Sequence, residues 1–141
     1  MELAESKVLL QWVAGTLMVG MDSRGRPVVI GSRKDEKADW VGTKPSDLLL
    51  LAAASCSTYD VVTILAKQRE DFRSVEVSCV GQQNTEPPHA FVSIHLHYVL
   101  QGNVNVEKLE KAIQLSEEKY CSVLATLKPT VHISSDYEIL P

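Results

Sequence analysis

Three cysteines, Cys56, Cys79 and Cys121, and four histidines, His89, His95, His97 and His132, carry the richest chemistry in this chain. A deprotonated thiol is a nucleophile that peroxides oxidise and that exchanges with disulfides, whereas histidine carries protons or binds metal. The cysteines are odd in number, widely spread and in no C-x-x-C pair, so neither a disulfide framework nor a structural zinc site is indicated. What remains is one reactive thiol, or two that meet only in the fold. His95 and His97, two apart on a strand-like stretch, point the same way as two metal ligands would. No third ligand follows at a matching spacing, so no metal is expected. His89 and His132 read as surface or strand-end residues. The sequence has no G-x-S-x-G elbow and no glycine-rich loop between strand and helix, so serine hydrolysis and phosphate binding recede.

Cys56 lies in LAAASCSTYDVV, residues 51–62. Read alone, it is a small core residue on a buried helix, since free cysteine is among the most buried residue types. The helix turns polar at that point, with Ser57, Thr58 and Asp60 following. Asp60, at i+4, falls on the same helix face as Cys56. A carboxylate disfavours a neighbouring thiolate, so Asp60 is no activator unless a cation lies between the two. Cys121, between Tyr120 and Ser122, falls where a helix is expected to end, and the negative pole of a helix does not stabilise a thiolate either. A redox role for Cys121 is therefore to resolve rather than to attack. Cys79 shares a strand face with Val75 and Val77 and reads as core.

One domain, 1–141, must position these residues: 141 residues, 45% of them hydrophobic, suffice for one core and not for two ordinary ones. With a net charge of −4 and scattered Lys and Arg, there is no basic stripe for nucleic acid. The first residues lack a basic stretch followed by an apolar one, and no apolar run approaches the roughly 18 residues of a membrane span. A soluble, cytoplasmic protein without cofactor is expected.

Residues 7–32 alternate apolar β-branched runs with turn residues, DSRGRP among them, and predict a three-stranded antiparallel meander. Residues 33–42 predict a charged loop anchored by Trp40. Pro45, Ser46 and Asp47 then suit the first turn of a helix running to about Glu70, apolar nearly all round in its first half. At about 1.5 Å per residue it spans nearly 40 Å, which implies a subunit interface or a large core. Two strands follow, the second placing Val92, Ile94, Leu96, Tyr98 and Leu100 on one face. A second helix from about Asn105 to near Cys121 and a last strand complete an α+β order.

Two segments, GTKPSDLLLLAAASCSTYDVVTILAKQRED (residues 42–71) and LSEEKYCSVLATL (residues 115–127), together resemble the signature of the OsmC/Ohr family, the osmotically inducible and organic hydroperoxide resistance proteins. The wording is nearest to the YhfA-type branch. The resemblance implies an OsmC/Ohr-like fold, antiparallel sheets wrapped around two long central helices in an intertwined homodimer, with sites at the interface. It also implies that Cys56 is the peroxidatic residue, attacking an organic hydroperoxide as thiolate, and Cys121 the resolving one, forming a disulfide that a small-molecule or protein dithiol reduces. In that family a Glu usually follows the Pro and pairs with an Arg. Here Ser46 stands in that place, and Arg24, Arg26 and Arg33 are all candidates for the cation.

Two functions follow. One is a thiol-dependent peroxidase for organic hydroperoxides in oxidative stress defence, through Cys56 and Cys121. The other is a non-catalytic or redox-sensing dimer that binds a small apolar ligand in the interfacial pocket.

Overall fold

A computed structural model of the chain describes residues 1–32 and 41–141. Arg33 and Trp40, and with them the expected loop, lie outside the described residues. The chain divides into two units, Met1–Leu49 and Leu50–Pro141.

In the first unit, β1 (Leu9–Ala14), β2 (Leu17–Met21) and β3 (Pro27–Ile30) form an antiparallel meander in the order β1-β2-β3, as the alternation predicts. The β2–β3 turn is built on Asp22, whose Oδ1 accepts the backbone N–H of Arg24 and of Arg26, each at 2.8 Å. Gly31 has φ of 81°, and a Cβ there would stand 1.9 Å from the Thr16 carbonyl oxygen, so only glycine fits.

Helix α1 (Pro45–Lys67) begins at the predicted proline, with Asp47 in its first turn and Lys67 in its last, both favourable to the helix dipole. It stops three residues before Glu70 because Arg69 takes a left-handed φ of 59° and Glu70 N–H bonds back to the Leu65 carbonyl at 3.0 Å, a C-terminal cap. Ala53, Ala54, Ser57, Val61 and Leu65 form its buried face. One expectation is corrected here: an 18-residue window of α1 has a mean hydropathy of 1.8, long and apolar enough by composition to cross a membrane.

The second unit holds β4 (Asp71–Gln83), β5 (Phe91–Asn103) and β6 (His132–Leu140) in the order β4-β5-β6. β4 pairs antiparallel with β5, but β6 runs parallel to it, so this sheet is mixed rather than antiparallel. The crossover from β5 to β6 carries helices, as parallel pairing requires. Ile94, Leu96, Tyr98 and Leu100 of β5 are fully buried, and Leu96, Tyr98 and Leu100 share one core with Val61, Leu65, Leu109, Ala112 and Leu124. Each such aliphatic side chain contributes about 1.5–3 kcal/mol by leaving water.

The crossover differs from the single helix expected. Asn105 caps α2 (Val106–Leu115), its side chain accepting the Lys108 N–H at 3.0 Å, and Leu109, Ala112 and Ile113 face the core at helical spacing. A single π-helical turn, Ser116–Tyr120, then widens the helix. The chain turns at Cys121 and starts a further short helix, α3 (Ser122–Leu127).

Candidate functional site

Cys56 and Cys121 come together in the second unit. Cys56 sits half-buried on α1, and Cys121, 2% exposed, is the N-cap of α3, not only the end of the helix before it. Its Sγ accepts the Leu124 N–H at 3.4 Å, and its own N–H closes the π-turn on the Ser116 carbonyl at 2.9 Å. The Cys56 thiol is close enough to that of Cys121 to act on its ionisation. Burial, and then the Cys56 thiol, push the Cys121 thiol up to about 11 against the opposing pull of the Leu124 N–H. Both thiols are free.

An open, mostly apolar hollow exposes Cys56. It is lined by Ala52, Ser55, Tyr59, Asp60, Tyr120 and Val123, with no Lys, Arg or His among the described lining residues. Asp60 also lines the adjoining hollow, with Thr63, Ile64 and Leu115 among its walls. Beneath Asp60 runs a chain of hydroxyls. Ser116 Oγ donates to Asp60 Oδ2 at 2.8 Å, lies 3.1 Å from Ser57 Oγ, and Ser57 Oγ lies 2.5 Å from Tyr98 Oη. Ser57, Ser116 and Tyr98 are all 0% exposed. One hydroxyl hydrogen serves one acceptor well, and for Ser116 the nearer, charged acceptor is the carboxylate. Ser57 Oγ is the more distant acceptor for Ser116 and pairs with Tyr98 Oη, so every hydroxyl of the chain has a partner. Burial above all pushes the Tyr98 phenol up to about 12, against the Ser57 hydrogen bond and with the charges of Glu117, Cys121 and Asp60 adding to it, so it stays a donor. Glu117 Oε1 is buried here without a hydrogen-bond partner among the described residues.

The other chemistry-bearing residues lie elsewhere. Cys79 is half-buried against the core, and burial raises its thiol. His95 and His97 point out of the opposite face of β5 and bond to β6: His95 Nδ1 meets Ser134 Oγ at 2.7 Å and its Nε2 meets Asp136 Oδ1 at 2.9 Å, while His97 reaches Asp136 at 2.6 Å and Glu138 at 3.3 Å. Asp136 holds the His97 imidazole above its ordinary range, helped by Glu138. Among the described residues no group of three or more His, Cys, Asp or Glu is placed to hold a metal ion.

A family model described as OsmC-like protein matches residues 34–136. The chain belongs to the OsmC-like family. Within it, Protein YhfA of Escherichia coli K12 is 33% identical over 132 residues, which cover 93% of this chain and 96% of that protein. Among solved structures, a hypothetical protein from Aquifex aeolicus VF5 superposes with a TM-score of 0.83 at 32% identity, covering 99% of this chain and all of that one. The organic hydroperoxide resistance protein OsmC of Legionella pneumophila has the same fold, with a TM-score of 0.69 at 14% identity over 98% of this chain and 99% of its own. The α+β architecture with two sheets and one long helix is thus that of OsmC-like structures. In this OsmC-like chain Ser46 is the second residue of α1, and Arg24 and Arg26 sit in the β2–β3 turn with their backbone N–H groups held by Asp22.

Sequence reasoning did not find Ser57, Ser116 or Tyr98 as members of the site. A signal existed for Ser57, which stands beside Cys56 where the helix turns polar. Ser116 and Tyr98 give none, because their partner Ser57 lies 59 and 41 residues away along the chain, respectively.

Proposed function

We propose that this OsmC-like protein is a thiol-dependent peroxidase that reduces organic hydroperoxides, with Cys56 attacking and Cys121 resolving, and that it works as a cytoplasmic homodimer in oxidative stress defence. The observation that supports this reading is the nearness of two thiols about 65 residues apart in sequence, one lining a hollow and the other buried. The name of the Legionella fold relative supplies the substrate class.

The difference in exposure sets the order of events. A hydroperoxide reaches Cys56, whose sulfur attacks the terminal oxygen; the O–O bond breaks, an alcohol leaves, and Cys56 becomes a sulfenic acid. Cys121, buried and protonated at neutral pH, does not compete for peroxide. It condenses with the sulfenic acid, forming the S–S bond and releasing water, and a dithiol reduces that disulfide by exchange. An apolar lining suits the organic part of the substrate. The homodimer, with two α1 helices central and sheets wrapped around them, is supported by the exposure of Leu51 (57%) and Tyr59 (72%) on a helix as apolar as α1.

Turnover of cumene hydroperoxide with dithiothreitol tests the reading. Cys56→Ser is expected to abolish it, and Cys121→Ser to stop it after one equivalent with a sulfenic acid left on Cys56. Wild-type protein that consumes no organic hydroperoxide with any of several dithiols overturns it. The second reading, a non-catalytic or redox-sensing dimer that binds a small apolar ligand, is favoured by one observation: no cation lines the Cys56 hollow among the described residues. It is expected to show stoichiometric ligand binding and no turnover.

A further inference from the structure

Asp60 is the one charged side chain among the described residues that line the Cys56 hollow. Its place is built rather than incidental. Oδ2 takes the hydrogen of Ser116, which is fully buried and backed by Ser57 and Tyr98, so three hydroxyls with no access to water hold the carboxylate in one orientation. Oδ1 has no protein hydrogen bond among the described residues. The carboxylate stands one helical turn beyond Cys56 on the same face of α1.

A carboxylate beside a thiol is a poor partner for a standing thiolate and a suitable acceptor for a proton that leaves during reaction. We propose that Asp60 carries the proton of the peroxide-cleaving step, and that Ser116, Ser57 and Tyr98 are the positioning residues that aim it. This rests on the reading of Cys56 as the attacking thiol. As Cys56 Sγ attacks the terminal oxygen of R–O–O–H, its proton passes to Asp60, the new S–O bond forms and the O–O bond breaks. The departing R–O⁻ then takes the proton from Asp60. Thiol and hydroperoxide become sulfenic acid and alcohol, sulfur losing the two electrons that the peroxide gains, and Asp60 ends as it began. An acid–base shuttle of this kind needs no cation in the hollow.

Two reactions of the same sulfur separate this role from a merely local charge. Alkylation of Cys56 by iodoacetamide reads the availability of the thiolate alone. Oxidation by tert-butyl hydroperoxide, read by dimedone trapping at Cys56, also needs a proton for the leaving oxygen. Asp60→Asn keeps the shape and an acceptor for Ser116 but carries no proton. It is expected to slow oxidation by about a hundredfold while alkylation stays equal or becomes faster, because a negative charge has gone. Asp60→Glu should recover part of the oxidation rate, and Ser116→Ala, which keeps the carboxylate and frees it, should lose a few-fold. These two variants carry the comparison should Asp60→Asn fail to fold. Oxidation of Asp60→Asn at the wild-type rate, or a loss matched by an equal loss of alkylation, overturns the inference while the peroxidase reading stands. Wild-type Cys56 that the hydroperoxide does not oxidise overturns both.

Discussion

Strand β5 carries a polar cluster on each of its faces, and the two differ in everything but their bond lengths. Inward, Tyr98 starts a chain of hydroxyls that ends on Asp60 at the thiol pair. Outward, His95 and His97 share Asp136. The inner groups are sealed from water, so each hydrogen bond there replaces one that water can no longer supply, and a broken one leaves an unsatisfied group behind. The outer pairs are exposed, with the Asp136 side chain 60% accessible, so water substitutes for any lost partner. Burial rather than geometry decides which cluster the fold depends on.

Truncating the inner cluster should therefore hurt most. Tyr98→Ala is expected to cost about 3–5 kcal/mol in urea unfolding, as an aromatic side chain lost from a closed core does. Tyr98→Phe keeps the ring and removes only the donor to Ser57, for an expected cost of about 1–3 kcal/mol. The outer counterparts, His97→Ala and Asp136→Asn, should leave the urea midpoint almost unchanged. Equal losses on the two faces would erase the distinction.

The same contrast explains what was legible in the sequence. Alternation along residues 91–100 sorted the two faces of β5 except at its start, where Val92 is exposed, because a strand with one buried face must alternate. Pro45 and Asp47 marked the start of α1, and the Asp22 turn lay between apolar runs, since capping and turn chemistry are local. The pairing of Cys56 with Cys121 entered only through a family resemblance, as nothing local links two residues on separate elements. The break of the second helix was hidden too. Ser116 to Tyr120 is a polar run with no glycine or proline, and a π-turn followed by a cysteine N-cap leaves no such mark. Asp60 was seen beside Cys56 from helical spacing, but its tie to Ser116 depends on how the crossover packs.

Alkaline pH offers a milder test of the inner cluster. The Cys121 thiol moves from an ordinary 9.0 to about 11, and the Tyr98 phenol from 10.0 to about 12. Above pH 9 the unfolded chain gives up the Cys121 proton while the folded chain keeps it, so ionisation favours unfolding. Stability is complete below about 9 and is expected to fall as pH rises through 11, with Tyr98 adding its share from 10 upward. Urea midpoints of the reduced protein at a series of pH values check this. In Cys121→Ala the decline should be shallower, leaving the parts of Tyr98 and of the half-buried Cys79, whose thiol burial also raises.

The smallest effect belongs to the outer face. Its readout is the titration of one imidazole rather than the stability of the fold. Asp136 and then Glu138 accept hydrogen bonds from His97 in its charged form, so its pKa lies above the ordinary 6.5. Whatever stability the pair contributes is present below 6.5 and is lost as pH rises through the folded-state value. The ring proton of His97, followed by NMR, should titrate above 6.5. In Asp136→Asn its midpoint should move back toward that value without reaching it, because Glu138 remains as a partner. A midpoint at or below 6.5 in the wild type would mean that water screens even the 2.6 Å contact, and that the outer cluster has no electrostatic consequence at all.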